Sequence, residues 1–143
     1  MATDRRAEVR WQGSLMEGSG TIRSTTSGAL GEQQVSWPNR AEDNPDKTSP
    51  EELIAAAHAA CFSMALSHAL AQAGNAPDEL NTSATVTFQP GQGITKIALT
   101  VDGRVSGIDA GQFEEAAQTA KENCPVSKAL ASVPEITLEA RLT

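Results

Sequence analysis

The sequence predicts an α+β fold, and three observations carry the prediction. The first 37 residues alternate apolar with polar or run rich in Thr between glycines, as strands do. Residues Leu53–Leu70 form a long Ala-rich run without formal charge, which is helical composition. After it come two strand-like runs, a second amphipathic helix and a closing alternating segment. At 143 residues the chain is expected to be a single domain, 1–143, burying about two-thirds of its unfolded surface.

Each element has a local reason. "AEVRWQG" sets Val9 and Trp11 against polar neighbours, "SGTIRSTTSGAL" is Thr-rich between glycines, and "EQQVSW" is a third short strand. "PNRAEDNPDKTSP", residues 38–50, reads as a loop because of its Pro, Asn and Asp content. "SPEE" then opens a helix: Ser49 as N-cap, Pro50 at the first position, Glu52 placed to close a capping box. This helix should run to Ala73, with Gly74 and Pro77 ending it. Ile54, His58, Cys61, Ala65 and His68 share one face, and Leu53, Ala57, Ala60 and Met64 the next, so a central helix, apolar nearly all round, is predicted. "TSATVTFQP" and "GITKIALTVDGRV" form a hairpin around Pro90–Gly93. Asp109 caps a helix over "AGQFEEAAQTAKEN", Pro125 restarts a short one after Cys124, and "EITLEARL" closes as a strand.

Composition excludes several function classes. A net charge of −7 with no basic cluster argues against nucleic acid and against an anionic membrane surface. Tyr is absent, so base-stacking platforms are not expected either. The uncharged run is long enough for a membrane span, but its seven Ala and the interruptions His58, Ser63, Ser67 and His68 point to a buried helix of a soluble protein. The polar N-terminus lacks the apolar core of a signal peptide, so a cytoplasmic location is expected. In that compartment the two cysteines, Cys61 and Cys124, are not a structural disulfide; a reversible catalytic or sensing pair is the usual exception. Two cysteines with no histidine at ligand spacing make no zinc site, and neither metal nor cofactor is expected.

Read alone, Cys61 is either a small core residue among alanines or a nucleophile, and it is reactive only if something stabilises its thiolate. Cys124 lies beside a helix start, where unpaired N–H groups favour thiolate; it also reads as a weak N-cap. Glu51 is left over once Glu52 is spent on the cap. Arg40 stands in the loop ahead of that helix. His58, one turn before Cys61, reads either as a proton partner of that thiol or as a core histidine.

In combination these residues carry more. "SPEELIAAAHAACFSMAL", followed later by "NCPVSKAL", resembles the OsmC/Ohr family of thiol-dependent peroxidases, in particular its osmotically inducible branch. The resemblance extends through "RWQGSLMEGSGTI", "SGAL", "GITKIALTV", "GIDAGQFEEAAQTAKENCPVS" and "ITLEARL". It implies an α+β fold of antiparallel sheets around a long helix, an intertwined homodimer with its sites at the subunit interface, and reduction of organic hydroperoxides in stress defence. By matching motif, Cys61 is the peroxide-attacking cysteine and Cys124 the resolving one. Glu51 orients an arginine, and Arg40 fits that arginine, with Arg23 as the alternative. The reductant implied is a dithiol of lipoyl type.

The chemistry suits these residue types. A thiolate attacks the O–O bond, leaving an alcohol and a sulfenic acid, and a second thiol condenses with it to a disulfide before over-oxidation. A guanidinium beside Cys61, held by Glu51, would stabilise the thiolate and polarise the peroxide. Phe62, Met64, Ile54 and the alanines predict an apolar wall suited to a hydrocarbon tail. Glu51 and Cys61 are ten residues apart, about 15 Å along a helix, so a bend or irregular turn is expected at 51–56. Two other readings compete: a redox-responsive or small-molecule-binding protein without fast turnover, and a structural stress protein with inert thiols.

Overall fold

The computed structural model describes residues 1–42 and 46–143, and part of the expected loop, 43–45, lies outside them. The chain divides into two compact units, Met1–Leu53 and Ile54–Thr143.

In the first unit, β1 (Ala7–Gln12), β2 (Ser19–Thr25) and β3 (Gln34–Val35) form an antiparallel sheet in sequence order. Gly20 on β2 is required by a close approach. A Cβ there would lie 2.8 Å from the Trp11 ring and 2.9 Å from Val35, so its absence lets both side chains close over the strand. The predicted loop 38–50 begins instead as a short helix, α1 (Trp37–Ala41). Ser36 caps it by accepting from the Asn39 N–H at 3.4 Å, and Pro38 sits in the first turn, where its missing donor is harmless.

The long helix, α2 (Pro50–Gln72), starts where expected. Ser49 Oγ accepts from the Glu52 N–H at 3.1 Å, but the Glu52 carboxylate takes Thr48 Oγ1 at 3.3 Å, so only half of the predicted capping box forms. The helix ends at Gly74, whose φ of +88° lets the Asn75 N–H reach back to Leu70 O at 2.8 Å. It is helical without a break through 51–56, so the expected irregular turn does not form.

In the second unit β4 (Glu79–Gln89) pairs antiparallel with β5 (Gly93–Arg104). α3 (Ala110–Asn123) carries the predicted Asp109 cap, now a full capping box with Gln112. After α4 (Pro125–Ala129) the chain returns as β6 (Glu135–Leu142), which lies parallel to β5. This second sheet is therefore mixed rather than purely antiparallel, because the α3–α4 crossover delivers β6 in the same direction as β5.

The core of this unit brings Phe62, Leu66 and Leu70 of α2 together with Ile97, Leu99 and Val101 of β5 and Phe113, Ala117 and Ala120 of α3. Gly103 makes room for Phe113, whose ring would lie 2.4 Å from a Cβ there. The buried line of α2 is His58, Phe62, Leu66 and Leu70, at four-residue spacing, rather than either face predicted from the sequence. Phe62 consequently enters the core instead of a substrate wall. Met64 faces out at 71% exposure, and Ala57, Ala60 and His68 are exposed as well. Alanine-rich sequence leaves the buried direction of a helix undetermined; here the large side chains decided it.

Candidate active site

The four predicted site residues fall into two pairs, each formed within one unit. In the first unit, α1 carries Arg40 on its last turn and α2 carries Glu51 on its first. Arg40 Nε and Nη2 lie 3.0 and 2.9 Å from the same carboxylate oxygen, Glu51 Oε1. Glu51 is buried, at 6% exposure, while the Arg40 side chain keeps 34%. Arg40 also lines a small cleft of about 100 Å3 walled by Trp11, Leu15, Trp37 and Pro50. Arg23 is exposed on β2, where its charge helps hold the Glu8 carboxyl low, after the larger effect of Arg6. The partner of Glu51 is thus Arg40 and not Arg23.

In the second unit, α2 presents Cys61, half-buried, and the junction of α3 and α4 presents Cys124, fully buried; both are free thiols. The two thiols lie close enough for each to shift the other's pKa, although 63 positions separate them in sequence. Helix geometry places Cys124: its N–H closes α3 onto Ala120 O at 2.8 Å and its C=O opens α4 by accepting from the Lys128 N–H at 3.0 Å.

The surroundings divide the pair electrically. Burial pushes the Cys61 thiol up, the Val126 N–H counters this, and its bond to Cys124 and that thiol's charge raise it further. Burial also acts upward on Cys124, but the N–H of Ser127, the bond from Cys61, the Ser127 hydroxyl and the Val126 N–H together bring its pKa down. The surroundings thus push the two thiols in opposite directions, Cys61 up and Cys124 down.

Sequence reading missed Ser127. Its signal is its place three residues after Cys124, on the first turn of α4, near enough to lower the Cys124 pKa. His58 is fully buried with Nε2 at 2.7 Å from Ser127 Oγ, so its partner is this serine, not the Cys61 thiol.

The sequence model of the OsmC-like protein family matches residues 42–139, which include Glu51 and both cysteines. The chain belongs to the OsmC-like family. This OsmC-like chain is 45% identical to peroxiredoxin OsmC of Escherichia coli K12 over 145 residues, covering 99% of each protein. It is 30% identical to the organic hydroperoxide resistance protein OhrB of Bacillus subtilis over 106 residues, covering 73% of this chain and 78% of that one. The solved structure of OhrB superposes with a TM-score of 0.64 at 26% identity, over 96% of this OsmC-like chain and 98% of that one. The α+β fold is that of the OsmC and Ohr proteins.

Proposed function

We propose that this chain is a thiol-dependent peroxidase that reduces organic hydroperoxides to alcohols in stress defence, with Cys61, Cys124, Arg40 and Glu51 as its working residues. The observation that carries the proposal is the closeness of the two thiols, each of which shifts the other's pKa, because it supplies a second thiol near any sulfenic acid formed on the first. The kinship with peroxiredoxin OsmC supports it over the full chain, and so supports treating residues 1–143 as one functional domain.

In the first step the Cys61 thiolate attacks one peroxide oxygen. The S–O bond forms, the O–O bond breaks, and the alkoxide leaves with a proton as the alcohol. In the second, Cys124 sulfur attacks the sulfenic sulfur; the S–S bond forms and hydroxide leaves, protonated to water. An external dithiol, of lipoyl type, then returns two electrons by exchange. A reducing cytoplasm suits this cycle, since both thiols start free.

Cys61 needs a cation, because its own surroundings raise its pKa. The Arg40 guanidinium is the proposed source, with Glu51 fixing its orientation, and an intertwined homodimer allows it to come from either subunit. The dimer also accounts for α2. This helix has the length and hydropathy of a membrane span, yet only 22% of its most apolar window is buried inside the single chain. A second copy packed on the exposed Ala57, Ala60 and Met64 would cover the rest.

The upward shift of Cys61 is also what would favour the slower, redox-sensing reading. Intact mass of the reduced protein after one equivalent of cumene hydroperoxide decides between them. Loss of about 2 Da within seconds, faster than with hydrogen peroxide and followed by turnover with dihydrolipoamide, is expected. Disulfide formation without turnover would replace the enzyme by a sensor, and unchanged mass would mean inert thiols.

A further inference from the structure

His58 is a buried imidazole that the two chemical steps above leave unused. Its Nε2 stands 2.7 Å from Ser127 Oγ, with both residues buried and 69 positions apart. Ser127 stands at the third position of α4 after Cys124, and its N–H and its hydroxyl both act to lower the Cys124 pKa. A hydroxyl has one proton to give. With that proton directed at sulfur, Oγ must accept from Nε2–H, which leaves Nδ1 as a bare lone pair. Nδ1 is buried and has no hydrogen-bond partner among the described residues. The opposite arrangement, Ser127 donating to Nε2, would place a hydrogen on Nδ1 with nothing to receive it, and orphaned buried N–H donors are rare. It would also take the hydroxyl proton away from the sulfur. Burial holds the imidazole below its ordinary value, in keeping with a neutral ring.

We propose that His58 is a positioning residue for the resolving step: its Nε2–H fixes the Ser127 hydroxyl so that the O–H points at Cys124 Sγ and keeps that sulfur ready as thiolate. The inference rests on the reading of Cys124 as the resolving cysteine. In that step the Cys124 thiolate attacks the Cys61 sulfenic sulfur, the S–S bond forms, the S–O bond breaks, and the departing hydroxide takes a proton to become water. The Ser127 proton stays on its oxygen throughout, and no further oxidant is needed.

The test uses the fact that Cys61→Ser leaves Cys124 as the chain's only thiol. Its thiolate is then titrated by absorbance near about 240 nm, without any peroxide. In this background Ser127→Ala should lower the Cys124 thiolate fraction at neutral pH about tenfold, the worth of one hydrogen bond to a charged group. His58→Phe should lower it in the same direction, and His58→Gln, which keeps an N–H donor, should restore it. With both cysteines present, His58→Phe should also raise the share of Cys61 driven to sulfinic acid by excess cumene hydroperoxide. A titration unmoved by Ser127→Ala, or by a folded His58→Phe, overturns the proposal, as does failure of His58→Gln to restore what a folded His58→Phe loses. Should His58→Phe not fold, Ser127→Ala and His58→Gln still decide, the first required to move the titration and the second to leave it in place. Because the titration needs no turnover, failure of the peroxidase assay on the unaltered chain refutes the functional reading separately.

Discussion

Arg40 meets Glu51 through two nitrogens on one carboxylate oxygen, at 3.0 and 2.9 Å, while the other oxygen, Oε2, is buried without a hydrogen-bond partner among the described residues. A buried carboxylate held from one side depends heavily on that one contact. Arg40→Met should therefore destabilise the protein by about 1–3 kcal/mol, and Arg40→Met combined with Glu51→Leu should recover most of the loss. Urea denaturation measures both. Peroxide reduction should fall tenfold or more, roughly, in Arg40→Met and stay low in the double variant.

The two cysteines should fail differently. Cys61→Ser is expected to abolish peroxide consumption. Cys124→Ser should consume one equivalent and then progress to sulfinic acid on Cys61, read as a gain of about 32 Da by mass spectrometry. Equal loss in both variants, without over-oxidation, would contradict the division of labour.

Stability should depend on pH through His58. Its folded value lies below the ordinary 6.5 because burial disfavours the charged ring. As the pH falls past about 6.5 the unfolded chain takes up a proton that the folded chain refuses, so stability declines with acid and is fully present above that value. The melting temperature should drop between about pH 7 and pH 5.5, and His58→Gln should flatten that part of the curve.

The proposed homodimer predicts a sedimentation mass twice the 15.0 kDa of one chain. Met64, at 71% exposure on α2, is the probe of this interface. Met64→Glu should shift the protein toward monomer at micromolar concentration, because it buries an unpaired charge. A monomeric unaltered chain would remove the proposed reason for the apolar outer face of α2.

Much of this was legible in the sequence because the signals were local. Ser49 with Pro50, Asp109, Gly74, and the alternation of the closing strand each act within a few residues, and each of these elements formed where expected. The pattern of Cys61 and Cys124 with Glu51 and Arg40 was readable as a family resemblance. The exceptions share a cause. A loop-like composition hid α1, since Ser36 and Pro38 suit a helix start as well as a turn. The Ala-rich run did not reveal which side of α2 would be buried, because small side chains barely bias the choice.

The sequence by itself determined most of the elements and the starts of α2 and α3, because those depend on residue type and short spacing. Only the tertiary structure decided that Arg40 rather than Arg23 holds Glu51, and that His58 serves Ser127 instead of Cys61. It also brought the start of α4 to Cys124, where the Ser127 and Val126 N–H groups act to lower the thiol pKa. Those outcomes hang on which donors the fold carries to one atom from distant positions, and charge and hydrogen-bond energies depend on that arrangement more than on composition.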